Sequence, residues 1–171
     1  MADKKKRMRW ILYAAELLLL FVLQETPGLL PLIMGAKPVL VLAAVLTIAM
    51  VEDCAPAMAF GLFAGLLADF GGGCPMGYHA LLFAVLCYFL SGLCGTRVQI
   101  HLFTAVLMGI WSCAAAVLSD WLLLYVAAGY SLRAYALVSA YLPMYFYTLL
   151  AVPVCYGLQA LIRRYFGRYG A

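Results

Sequence analysis

Long apolar runs, broken by short clusters of proline, glycine and charge, organise this chain. The runs predict six helices. The first spans about Arg9 to Gln24 and stops at Gln24-Glu25-Thr26-Pro27. A loop bounded by Pro27, Pro31 and Pro38 follows, then a second helix from about Val39 to Val51. Glu52, Asp53 and Pro56 make the next turn, and a third helix runs from about Ala57 to Phe70. The run Gly71-Gly72-Gly73-Cys74-Pro75 breaks it, because glycine permits turn conformations and proline favours the first turn of a new helix. A fourth helix covers about Met76 to Leu93, and a fifth about Ile100 to Ala127, ending at Gly129. The sixth covers about Tyr135 to Ile162, with Pro143 and Pro153 expected to bend it. The second and third helices are short for a full span, which implies a thinned bilayer or extension into the flanking loops.

Composition changes this picture from a helical protein to a lipid-embedded one. Apolar residues make up 68% of the chain and charged residues 11%, and the mean hydropathy is +1.04. A soluble domain has about 45–50% apolar and about 25% charged residues. A chain of 171 residues in water cannot hide this much apolar surface, so lipid must cover the outside. Backbone groups in lipid must pair internally, which leaves helices or a closed barrel. Continuous apolar runs exclude the alternation of a barrel. The expected fold is all-α: one polytopic membrane bundle of about six transmembrane helices. A basic tail (1–8) precedes the bundle (9–163), and a second tail (164–171) follows. The basic start also resembles the charged region of a signal peptide, but no small-x-small cleavage site follows, and the first apolar run is read as a retained helix.

Charge sets the expected orientation. With an even number of spans and a cytoplasmic N-terminus, nine of the eleven Lys and Arg fall inside; only Lys37 and Arg133 fall outside. Both termini are therefore expected in the cytoplasm, and the chain in a bacterial inner membrane. The net charge of +4 gathers at membrane edges, so nucleic acid is not an expected partner. Trp10, Trp121 and the tyrosines at 130, 135, 141, 145 and 147 suit interfacial belts; Trp111 falls nearer mid-span. The six cysteines form no CxxC and stand at no metal-ligand spacing from a histidine.

Ionisable groups inside a membrane are costly, and so are functional candidates. Glu16 lies about 10 Å into the first helix at 1.5 Å per residue. It reads either as a protonatable or hydrogen-bonding group at a helix–helix contact, or as a neutral carboxyl satisfied by a nearby hydroxyl. Asp69, His79 and Asp120 all fall in the outer leaflet of the expected topology. They read either as holding a carboxylate–imidazole pair across the glycine turn or as three separate interfacial residues. Gly61 and Gly65 form GxxxG with Asp69 four residues on, which places small residues where a second helix backbone approaches closely. No catalytic constellation, HExxH, phosphate loop or dinucleotide fingerprint is present. The expectation is a protein that is not an enzyme and needs no cofactor or metal.

The stretch Gly61-x-x-x-Gly65-x-x-x-Asp69, then Pro75-x-Gly77, then His79-Ala80 and an aromatic-containing apolar helix ending near Gly92, resembles the rod shape-determining protein MreD family. The close match covers residues 57–95; length, basic N-terminus and short-looped helices agree beyond it. The resemblance implies a non-enzymatic scaffold of bacterial cell elongation. The implied partners are an MreC-like protein, the MreB-filament-associated complex and membrane peptidoglycan synthases. It places the motif on Gly61, Gly65, Asp69, Pro75, Gly77 and His79, shaping a hairpin and its contact face. The alternative is the substrate-binding S-component type of vitamin uptake subunit, with an outward pocket formed by Asp69, His79, Asp120 and the tyrosines of the last helix. Against it, the first helix lacks the small-xxx-small pattern for docking an energy-coupling partner: Ala14 and Ala15 are followed four residues on by Leu18 and Leu19.

Overall fold

The computed structural model describes residues 2–29, 36–72, 76–97, 102–123, 135 and 137–166. They form six α-helices: α1 (Ala2–Glu25), α2 (Leu40–Val51), α3 (Cys54–Gly72), α4 (Tyr78–Arg97), α5 (Leu102–Trp121) and α6 (Leu142–Phe166). A π-helical turn, Leu137–Tyr141, leads straight into α6.

The helices differ from their expected bounds for local reasons. α1 begins at Ala2, not Arg9, because the Lys-, Arg- and Met-rich start is made of strong helix formers. The expected basic tail therefore continues the first helix. α3 begins at Cys54, which takes Pro56 into its first turn, where the missing N–H has no intrahelical partner to lose. The α2–α3 turn is thus only Glu52 and Asp53, with Glu52 extended. α4 begins at Tyr78 after a turn in which Gly77 has φ +99°, a conformation that glycine adopts without strain. At Pro143 the ring would clash with the carbonyl four residues back, and the π turn lies across that position. Pro153 sits inside α6. Pro75, Arg133 and the expected ends of the fifth helix at Ile100 and Ala127 lie outside the described residues.

α2 is the centre of the bundle. Every residue from Val41 to Val51 is buried, and the helix packs on each of the other five. Its 12 residues span only about 18 Å. Its sides are covered by protein along that length. α3 and α4 form the most extensive pair. Contacts between named ends show that α1 and α2, α3 and α4, and α4 and α5 run in opposite directions: Arg9 meets Glu52, Asp69 meets His79, and His79 meets Asp120.

Apolar surface points outward as well as inward. On α4, Leu81, Val85, Tyr88 and Phe89 are exposed; on α5, Phe103, Leu107 and Trp111. Among the described residues three helices are long and apolar enough to cross a membrane: Cys54–Gly71, Leu102–Trp121 and Leu137–Tyr165. Leu40–Val51 and Tyr78–Cys94 are shorter apolar helices.

Candidate functional site

The α3–α4 hairpin is held by absent side chains and one carboxylate. A Cβ at Gly61 would lie 2.6 Å from the Phe83 carbonyl oxygen. One at Gly65 would fall on Ala80 Cα and the His79 carbonyl group. Both glycines therefore face α4 from within the chain, and this close backbone approach is what GxxxG permits. The glycine face is consumed by α4, so any partner contact must use another surface.

Four residues beyond Gly65, Asp69 is buried, and its carboxylate receives the start of α4. Gly77 N–H donates to Oδ2 at 2.8 Å, His79 N–H to Oδ1 at 3.1 Å and Ala80 N–H to Oδ2 at 3.4 Å. The first N–H groups of a helix lack intrahelical partners and carry the positive end of its dipole. Asp69 acts as their cap, but from the neighbouring helix. The His79 imidazole adds a fourth donor, with Nδ1 2.7 Å from Oδ1. Its other nitrogen, Nε2, lies 3.4 Å from Asp120 Oδ2 on α5. Two carboxylates thus flank one imidazole and tie α3, α4 and α5 together at one end of the bundle. The second oxygen of Asp120, Oδ1, is buried and has no hydrogen-bond partner among the described residues.

Beside this network a cleft of about 360 Å³ opens between helix ends. Its polar wall comprises Gln24 and Glu25 of α1, His79, Asp120 and Tyr141. Leu42, Phe83 and Met144 contribute to its apolar wall. Asp69 lies behind His79 and does not line it. Gln24 is anchored through Oε1, which accepts Val41 N–H at 3.4 Å.

Two further polar groups sit elsewhere. At the opposite end, Arg9 forms a two-pronged pair with Glu52: Nε to Oε1 at 2.8 Å and Nη2 to Oε2 at 3.1 Å. Ser91 Oγ donates to the Glu52 carbonyl at 2.6 Å, joining α4 to this end. Within the bundle, Gln159 Nε2 of α6 donates to Glu16 Oε2 at 2.5 Å. The partner of Glu16 is therefore an amide, not the hydroxyl considered from sequence.

Sequence reasoning located Asp69, His79 and Asp120, and the structure brings them together. It missed the Arg9–Glu52 pair, because Arg9 reads as a topology charge and Glu52 as a turn residue. It also missed Gln159, a lone amide in an apolar helix and hence a visible signal. Among the described residues no cluster of His, Cys, Asp and Glu is arranged to hold a metal ion. Compared with family models, curated proteins and solved structures, the chain matches none.

Proposed function

We propose that this chain is an MreD-like, non-enzymatic scaffold of the bacterial cell-elongation machinery. In this reading all six helices cross the inner membrane, with both termini cytoplasmic. Its docking partners are an MreC-like protein, the MreB-filament-associated complex and membrane peptidoglycan synthases. The observation that carries the reading is the α3–α4 hairpin. Gly61, Gly65, Asp69, Gly77 and His79, which carry the resemblance, serve one task in the fold. Two glycines admit the α4 backbone, and the carboxylate caps it through Gly77 and His79. With the glycine face spent internally, the surface left for partner helices is the outward apolar side of α4 and α5. Depletion in the native cell tests the reading. Rounding of cells, with recovery of an MreC-like protein or cell-wall synthase in a membrane pull-down, is the expected result. Unchanged shape would sink the scaffold.

A second reading has one observation in its favour. The cleft beside His79 and Asp120 has the volume of a small-molecule site, which falls at about 300–1,000 Å³. That favours a substrate-binding membrane subunit of the vitamin-uptake type. Its mark would be an ATP-binding transporter module in the same pull-down, with cell shape intact.

A further inference from the structure

The geometry points to the cleft at the Asp120 end of the bundle as a binding site for an organic ammonium group carried on a small apolar body. Such binding can occur in a scaffold or in an uptake subunit, so it and either functional reading fail separately.

Two acidic residues, Asp120 and Glu25, line the cleft. Asp120 brings a carboxyl with one oxygen beside His79 Nε2 and one without a partner among the described residues. The terminal torsion of an aspartate is broad, so an incoming donor draws on the same carboxyl that His79 Nε2 approaches through Oδ2. Glu25 supplies the second carboxyl. Its carboxyl lies over Gly71, where a Cβ would stand 2.6 Å from Glu25 Oε1. Gln24 Nε2 donates to the same oxygen at 3.4 Å. Among the described residues neither Lys nor Arg lines the cleft; its one basic side chain is His79, whose nitrogens lie against Asp69 and Asp120. Lys37, next in sequence to the lining residue Ala36, is exposed and not part of the wall.

A carboxylate accepts hydrogen bonds and cannot donate them, whereas an ammonium has three donors and no acceptor. An ammonium therefore gains charge-assisted bonds, stronger than neutral ones, from the carboxyls that line the cleft. An anion meets the same two carboxyls with only His79, already held between Asp69 and Asp120, to offset them. The remaining wall, with Leu42, Phe83 and Met144, is apolar and suits a hydrocarbon body attached to that head. The cleft lies where helix ends meet, so a free amine or an ethanolamine lipid headgroup both supply this chemistry.

The test is equilibrium dialysis of the full chain in a neutral maltoside detergent against labelled 2-phenylethylammonium, with protein-free micelles subtracted. Saturable binding of one probe per chain is expected. The neutral 2-phenylethanol and the anionic 3-phenylpropionate should bind at least about tenfold more weakly, since each loses the charge-assisted contacts. Asp120→Asn and Glu25→Gln should each weaken the probe at least about fivefold. Ala140→Trp, which narrows the cleft without altering a carboxylate, should do the same. Variants are compared where helical signal and elution match wild type; exposed Glu25 keeps the test open if Asp120→Asn misfolds. In lipid nanodiscs, loss of probe binding with ethanolamine but not choline lipids identifies the headgroup as the ammonium source. Binding in both identifies a free amine. Uptake no greater than that of micelles, equal binding of the anion, or indifference to all three substitutions overturns the proposal.

Discussion

Asp69 takes hydrogen bonds from three backbone N–H groups and one imidazole. Each of its oxygens serves two donors. Asp69→Ala strands all four, and buried donors left unmade cost about 1–3 kcal/mol apiece before relaxation and water entry. A net loss of about 3 kcal/mol in unfolding free energy is expected, because some donors find water. Asp69→Asn keeps one acceptor oxygen and turns an amide donor toward the rest, so a loss about half as large is expected. Denaturant unfolding of the purified variants in detergent gives both values. Equal losses would show that charge, rather than the number of accepting oxygens, matters at this position. This site was legible because Asp69 and His79 flank one glycine turn, only 10 residues apart. Arg9 and Glu52 are 43 apart, and Glu16 and Gln159 are 143 apart. Spacing on a single helix says nothing about such partners; only the packing of whole helices brings them together.

At the scale of elements, α3 and α4 are fixed by contact between backbones. A side chain at Gly65 has no flexible neighbour to push aside, because it meets the Ala80 Cα and the His79 carbonyl group. Gly65→Leu should therefore separate the hairpin and cost about 3 kcal/mol, at the upper end of ordinary overpacking. Gly157 offers a control, since nothing lies within 4 Å of a Cβ there. The comparison is thermal unfolding of Gly65→Leu against Gly157→Ala, with membrane insertion retained in both. Similar midpoints would mean that α3 and α4 slide apart freely. Helix number and order were legible from hydropathy. Helix starts were less so: the Lys- and Arg-rich segment reads as a tail, although its residues favour helix, and Pro56 reads as a breaker, although the first turn accepts it.

For the whole molecule, the arrangement is a short buried helix sheathed by longer ones. Hydropathy does not distinguish an apolar helix facing lipid from one facing protein, so the central place of α2 was invisible in the sequence. Its burial predicts the order of local opening. Amides of residues 41–51 should exchange most slowly in detergent, since opening them requires the surrounding helices to part. The start of α1, where Lys4, Lys6 and Arg7 are exposed, should exchange first. Hydrogen exchange read by mass spectrometry checks this ranking. Fast exchange across 41–51 would place α2 at the edge of the bundle.

The bond between Glu16 and Gln159 also has a meaning in time. Chains are made from the N-terminus, at about 5–20 residues per second. Asp69 meets its donors almost as soon as α4 emerges, so the hairpin has its polar groups matched early. Glu16 has no such neighbour. It must wait in the nascent chain until α6, the last of the six helices to be made, delivers the Gln159 amide. The first helix is therefore completed by α6, and a chain interrupted before α6 carries an unmatched Glu16 carboxyl.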